Sequence, residues 1–246
     1  MKRRAEAFPD DRFAGLAARH ELTAEQAEQL RSFLSTLAED PHAPTAVRNP
    51  GEALDVHLAD SLAGLPALDE ALAGGVPARV ADIGSGAGLP GIPLAVARPS
   101  VGFDLVEATQ RKCSFLAGAV ARLGLDNVVV HCARVEELPG ADSRDSYGLV
   151  LARAVAPLAT LVEYAAPLLD EGGVLVAWKG ARDADEERAG QNAARDVGLE
   201  PIRVEPVTPY ETSRNRHLNL YRKVRPCPPG FPRRPGMARR HPLGRS

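Results

Sequence analysis

Between Val80 and Pro93 the chain reads VADIGSGAGLPGIP, a short apolar run that ends in an acid, three alternating glycines and the opening of a helix. Val80, Ala81 and Ile83 suit a buried strand. Gly84, Gly86 and Gly88 permit backbone angles and close approaches that a Cβ would forbid, and Leu89 to Ala97 can start a helix whose free N–H groups face a ligand. A strand, a glycine turn and a helix in that order direct the chain to an α/β architecture with a cradle at the strand's carboxyl end. The same residues would also serve a tight strand-to-helix turn without a ligand.

The spacing is G-x-G-x-G rather than the G-x-G-x-x-G of dinucleotide sites, and Asp82 stands two residues ahead of the first glycine. This pattern points to the glycine loop of S-adenosylmethionine (AdoMet) methyltransferases. Glu107 agrees with it, since it ends the next strand, 23 residues beyond Gly84, where a carboxylate accepts hydrogen bonds from both ribose hydroxyls of an adenosine. Asp82, Gly84, Gly86, Gly88 and Glu107 are the cofactor residues this argument selects.

From Arg79 onward strand-like and helix-like segments alternate, the signature of crossover units on a parallel sheet. Strands are predicted at Arg79–Ile83, Gly102–Val106, Asn127–His131, Tyr147–Leu151 and Gly173–Trp178. Helices are predicted at Leu89–Ala97, Gln110–Leu123, Pro157–Leu169 and Ala184–Val197, with Gly124 and Gly198 as stops. Arg134 to Leu138 reads as a short turn or helix. Pro201–Val207 and Arg216–Lys223 read as an antiparallel pair that finishes the sheet.

Ahead of this region, Thr23 and Gln26 make a capping box for a helix reaching Glu39, with Leu30, Phe33, Leu34 and Leu37 at helical spacing. A second helix from Glu52 to Leu62 places Leu54, Leu58 and Leu62 on one stripe and His57, Asp60 and Ser61 on another. A His and an Asp so placed commonly form a surface pair or cap neighbouring backbone.

Of the 30 Lys and Arg residues, six arginines lie between Arg225 and Ser246 with no acid among them, so the rest of the chain holds 24 cations against all 32 acids. Such a tail suits a local polyanion contact or a solvated, disordered end. The three cysteines form no C-x-x-C pair and no metal-ligand pattern, which fits a reducing cytosol, with Cys113 and Cys132 as core fillers. No run of eighteen apolar residues and no signal-like h-region occurs, so a soluble, cytoplasmic protein is expected, without membrane or metal.

Ligands of doubly wound sheets bind beyond the strands' carboxyl ends. Val135 and Glu136 follow the third predicted strand, where backbone N–H groups, an acid and an apolar wall could meet an adenine. Arg153 follows the fourth, and its guanidinium can grip a carboxylate but cannot act as a base. Lys179 follows the fifth.

Together VADIGSGAGLPGIPLAVARP, FDLVEATQRKCSFL, ARVEEL, LARAVAPL, Lys179-Gly180, HLADSL and the closing FPRRPGMARRHPL resemble the 16S ribosomal RNA guanine-N7 methyltransferase G family, also called glucose-inhibited division protein B. The resemblance covers about residues 23 to 182 and resumes at the end of the chain. It implies an AdoMet-dependent transfer of a methyl group to N7 of a guanine in 16S rRNA of the small ribosomal subunit. Carried over by position, Gly84 and Leu89 would line the cofactor pocket, Val135 and Glu136 the adenosine side, and Arg153 the end near the methyl group. His57, Asp60 and Ser61 match the family's His-x-x-Asp-Ser element, and with Lys179, Arg233 and Arg234 they are the RNA-binding candidates. No catalytic base is expected, and Arg153 is the candidate positioning residue. The sequence departs from the family's Asn-Leu-Thr, carrying Ala43 and Pro44 ahead of Thr45, and Ala152 stands where a Ser often precedes the arginine.

The expected fold is therefore α/β: a Rossmann-like class I AdoMet methyltransferase with a doubly wound, mostly parallel sheet, an antiparallel last strand and an N-terminal helical extension. The expected division is residues 1–74 for that extension, 75–224 for the transferase domain and 225–246 for the basic tail, with a monomer as the expected state. A small-molecule or protein methyltransferase and a non-catalytic nucleotide-sensing module would use the same loop.

Overall fold

The computed structural model describes residues 9–138 and 143–244. The N-terminal part is helical: α1 (Asp10–Arg19), α2 (Ala24–Glu39), α3 (Pro50–Ala53), a π-helical turn (Leu54–Ala59), α4 (Asp60–Leu62) and α5 (Leu65–Ala73). There follow β1 (Arg79–Ile83), α6 (Gly91–Ala97), β2 (Gly102–Glu107), α7 (Gln110–Leu123), β3 (Val128–Cys132) and a 3₁₀ turn (Val135–Glu137). The chain continues through β4 (Tyr147–Arg153), α8 (Leu158–Ala165), β5 (Leu169–Lys179), α9 (Ala184–Val197), β6 (Leu199–Val207), β7 (Arg216–Lys223) and α10 (Met237–Arg240).

One seven-stranded sheet runs β3-β2-β1-β4-β5-β7-β6. The first five strands are parallel, and β7 pairs antiparallel with both β5 and β6. The order turns back between β1 and β4, so the carboxyl ends of those two strands flank the switch point where such sheets take their ligands.

Alternation along the strands explains the two cores. Val80, Leu149, Leu151, Val176 and Trp178 pack with the N-terminal helices, α6 and α7. Ala81, Ile83, Val150, Leu175 and Ala177 pack on the other face with α8 and α9. Both faces are covered, which is why the central strands read as unbroken apolar runs.

The N-terminal helices share the first core rather than building their own. Thr23 and Gln26 form the expected capping box, and the same Gln26 side chain donates to Val96 O at 3.0 Å, tying α2 to α6. Helices α1 and α5 are additions to the sequence reading: α1 buries only Phe13 and Leu16, and the apolar LPALDEALA of α5 lacks a clear polar face. The predicted Glu52–Leu62 helix begins two residues earlier, at Pro50, behind an Asn49 cap, and contains a wide π turn.

Two expectations are corrected. Cys113 and Cys132 are joined by a disulfide, with Cα atoms 5.7 Å apart; Cys113 is buried, but Cys132 is exposed at the end of β3 and fills no core. They lie 19 residues apart in sequence and meet because the parallel β2–α7–β3 crossover returns the chain beside its start. The described part of the tail, in turn, is packed on the domain rather than left as a solvated end: Ala238 is 1 % exposed, Arg144 donates to Phe231 O at 2.9 Å and Thr160 to Ala238 O at 3.1 Å. Arg245 and Ser246 lie outside the described residues.

Candidate functional site

At the end of β1 the backbone turns through three left-handed glycines, Gly84 (φ 70°), Gly86 (φ 58°) and Gly88 (φ 84°), a conformation that L side chains resist. A Cβ on Gly84 would also lie 2.8 Å from Val155 Cγ2. The turn is fixed from below: Gly84 N and Ser85 N both donate to Val106 O, at 2.8 and 3.1 Å. Asp82 is 1 % exposed and its Oδ2 accepts from Gly91 N at 3.1 Å. Burial pushes its carboxyl up to about 7, against the hydrogen bond from Gly91. Asp82 is thus the staple of the loop to α6. Gly91 completes that staple, because a Cβ there would stand 2.6 Å from Asp82 Oδ2.

Beside the turn lies a cavity of about 310 Å³ whose wall includes Gly84, Glu107, Val135 and Glu136. Glu107 is buried, and its two oxygens accept from Thr109 N at 2.8 Å and Gly86 N at 3.2 Å. Those bonds aim the carboxylate while leaving lone pairs for a vicinal diol. Val106, Val135 and Val155 give apolar walls for a flat ring. The donor set fits AdoMet: Glu107 would hold the ribose, the Val135–Glu136 backbone the adenine edge, and Gly84 the close approach of the methionine chain.

Other expected cofactor residues lie elsewhere. Gly86 and Gly88 shape the turn without lining this cavity. Leu89 packs into the first core, so its side chain does not line the pocket as expected. Arg153 lies in a neighbouring cavity of about 240 Å³, with Asp60, Trp178, Lys179, Arg216 and His217. Ala154 lines both cavities and is itself left-handed at φ 56°, a strained backbone where the two spaces meet.

The second cavity is a cationic ring around one acid. Arg153 donates to Asp60 Oδ2 at 2.8 Å and to Val56 O at 3.1 Å. Arg216 Nε stands 3.8 Å from Asp60 Oδ1, and Trp178 Nε1 donates to Asp60 O at 2.9 Å. Lys179 pairs with Glu186 and donates to Ala156 O at 3.2 Å. His57 lies behind the ring, its Nε2 2.9 Å from Thr45 Oγ1. Burial, and then the Arg153 charge, lowers its pKa to about 4. Thr45, the surviving member of the altered Asn-Leu-Thr, is therefore the contact that orients this ring. Ser61, expected among the RNA contacts, is fully buried and donates to His57 O.

The tail arginines divide. Arg233, expected among the RNA contacts, is turned inward, its guanidinium on the fully buried Glu163 at 2.9 and 2.6 Å. Arg234 is exposed. Arg216, His217, Gly236 and Arg239 were not selected from sequence. The first two reach the second cavity through the β5–β7 register, which pairs Lys179 with His217, and no local motif encodes that pairing.

Residues 25–218 match the profile of the family described as rRNA small subunit methyltransferase G, GidB. The chain belongs to this family. Methyltransferase G relatives include that of Pelotomaculum thermopropionicum, 37 % identical over 227 residues, covering 90 % of this chain and 92 % of the relative. That of Chloroflexus aggregans is 41 % identical over 226 residues, with the same coverage of 90 % and 92 %. Among solved structures, the AdoMet-dependent methyltransferase SibL in its apo form superposes with a TM-score of 0.54 at 17 % identity, over 82 % of this chain and 69 % of that one. A mutant of MtNAS in complex with AdoMet gives 0.52 at 17 %, over 87 % and 76 %. These two share the fold. The matched segment ends before Gly236 and Arg239, although both line the first cavity.

Proposed function

We propose that this protein transfers a methyl group from AdoMet to N7 of a guanine in 16S rRNA. One observation carries the reading: a cavity with a carboxylate placed to accept from a diol shares Ala154 with a second cavity ringed by Arg153, Lys179, Arg216 and His217. The first suits the donor and the second suits an anionic acceptor. Residues 75–224 would hold both, and the helices of residues 1–74 buttress the second through His57 and Asp60.

Bound AdoMet supplies a methyl group on an electrophilic sulfonium. Guanine N7 carries an unprotonated lone pair on the major-groove edge, so the protein has no proton to remove from it. Alignment is the main requirement, and positioning contributes up to roughly 7–11 kcal/mol in favourable cases, more than the ~3–5 kcal/mol expected of a general base. Glu107 fixes the donor by its ribose. Arg153, held by Asp60 and Val56 O, offers its remaining N–H groups to the purine O6 or a neighbouring phosphate. His57, with its pKa near 4, stays neutral at pH 7 and supports the ring without exchanging a proton. Asp60 keeps the Arg153 guanidinium in place while the purine is alkylated.

Among the described residues no helix is long and apolar enough to cross a membrane, and no cluster of potential metal ligands occurs. The partner we propose is the small ribosomal subunit in the cytoplasm, with the protein as a monomer. The test is mass spectrometry of nucleosides from 16S rRNA of cells with and without the gene. Loss of 7-methylguanosine, restored by the gene, is the expected result; unchanged 7-methylguanosine rejects the reading.

A further inference from the structure

The tail poses a specific problem: its basic composition suggests a polyanion, yet its best-anchored arginine points into the protein. Arg233 meets a carboxylate, Glu163, that is 0 % exposed, through two side-chain bonds and a third from its own N–H at 3.2 Å. A buried carboxylate is costly without such a partner. This pairing fixes where residues 231–241 run, over α8 and towards the carboxyl edge of the sheet.

There the strap meets the cofactor cavity at two points. Gly236 N donates to Glu136 Oε1 at 2.8 Å, the same oxygen that accepts from Tyr164 O–H at 3.2 Å. Arg239 donates to Val155 O at 3.1 Å. Gly236 and Arg239 both line the cavity, with Glu136 and Val155. Gly236 is left-handed, at φ 81°, which lets α10 start directly over Glu136. One carboxylate thus belongs at once to the adenosine side of the cavity and to the docking of the strap.

We infer that the strap Phe231–Arg240 is a cofactor-binding element: it forms a wall of the AdoMet cavity, Arg239 is its contact residue for the bound cofactor, and strap docking and cofactor occupancy stabilise each other. The inference rests on the AdoMet reading above and adds to it a residue and a segment outside residues 25–218. Reciprocity follows from thermodynamics, since a ligand that binds only when the wall is docked must strengthen the docking by the same factor. The tail's outward arginines, Arg234 and Arg240, remain for solvent or RNA.

The test measures binding, without RNA and without turnover, using S-adenosylhomocysteine, the demethylated product of AdoMet, and AdoMet itself. Calorimetric titration is run on the full chain, on Arg239→Ala, on Arg234→Ala and on a chain ending at Gly230, with hydrogen exchange followed by mass spectrometry. Arg239→Ala alters an exposed side chain and keeps the Arg233–Glu163 anchor, so it reports on the wall even if the truncated chain fails to fold. The expected results are an approximately tenfold weaker Kd for Arg239→Ala, an unchanged Kd for Arg234→Ala, and slower exchange of the amides of residues 233–241 when ligand is added to the full chain. Equal affinities of the full chain and Arg239→Ala, with no protection of the strap, overturn the inference. Equal losses in Arg239→Ala and Arg234→Ala also overturn it, by assigning the effect to general charge. Failure of the full chain to bind either ligand instead overturns the AdoMet reading.

Discussion

Arg153 at the end of β4 and Asp60 at the start of α4 are 93 residues apart in sequence and 2.8 Å apart in space. Both side chains are largely buried, at 15 % and 8 % exposure. The pair therefore joins the N-terminal helices to the switch point of the sheet, and it holds the guanidinium at the wall of the second cavity.

Replacing Arg153 with Ala leaves a buried carboxylate with one remaining cation, Arg216, at 3.8 Å. The expected cost is about 3 kcal/mol, at the low end for breaking a buried pair. Urea unfolding of Arg153→Ala, Asp60→Asn and the double variant checks it, with a coupling energy near zero as the opposing outcome. Single-turnover methylation at limiting AdoMet separates the site role: Arg153→Ala should lose activity even where it remains folded.

Gly84→Ala places a Cβ 2.8 Å from Val155 at a left-handed position. Strain of roughly 1–2 kcal/mol is expected, together with a displaced loop. Titration with AdoMet should show at least a tenfold loss of affinity, whereas Gly118→Ala on α7, with nothing within 4 Å of its Cβ, should bind as the parent does.

His57 and Asp82 give opposite pH dependences. The folded pKa of His57 is lowered by burial to about 4, so its contribution is full above the unfolded value near 6.5 and is lost as pH falls towards 4. The folded pKa of Asp82 is raised by burial to about 7, so its contribution is full below the unfolded value near 3.9 and is lost as pH rises through 7. The two slopes oppose one another between about pH 4 and 6.5. Chemical unfolding across pH 4–8 should show Asp82→Asn gaining stability with rising pH and His57→Gln losing it. Parallel profiles for the two variants would refute the assignment.

The Cys113–Cys132 bond closes a loop of 19 residues at the edge of the first cavity, next to Lys112 and Ala133. Its removal should cost about 3 kcal/mol by loop entropy. Alkylation of the denatured protein should label one thiol, Cys227, before reduction and three after it, and the reduced protein should melt at a lower temperature. Three labelled thiols before reduction would contradict the bond.

Where a segment's own periodicity decided its state, the sequence was sufficient: the limits of β1, α7, α9 and β7 are those expected. The glycine turn and Glu107 were legible for the same reason, because local spacing sets their geometry. What escaped depends on partners distant in the chain. The Arg153–Asp60 pair and the commitment of Arg233 to Glu163 arise from pairings across 70 residues or more, and the entry of Arg216 into the second cavity from the β5–β7 register. The tail's charge predicted its chemistry but not its direction, since composition does not reveal that Glu163 waits uncompensated on α8. The inward packing of the Leu89 side chain was not legible, because loop position alone does not fix which way a side chain turns.

The π-helical turn Leu54–Ala59 makes the helix ahead of Asp60 wider by one residue than a regular one. Excising a single residue there would leave a chain that still reads, and still forms, as a continuous helix. Because a π turn holds one residue more than an α turn, the cut would take up that excess and leave the direction of Asp60 towards Arg153 nearly unchanged. The segment thus carries a spare residue, so that a single-residue deletion should be less damaging here than in α9, where it would turn the rest of a regular helix by about 100°.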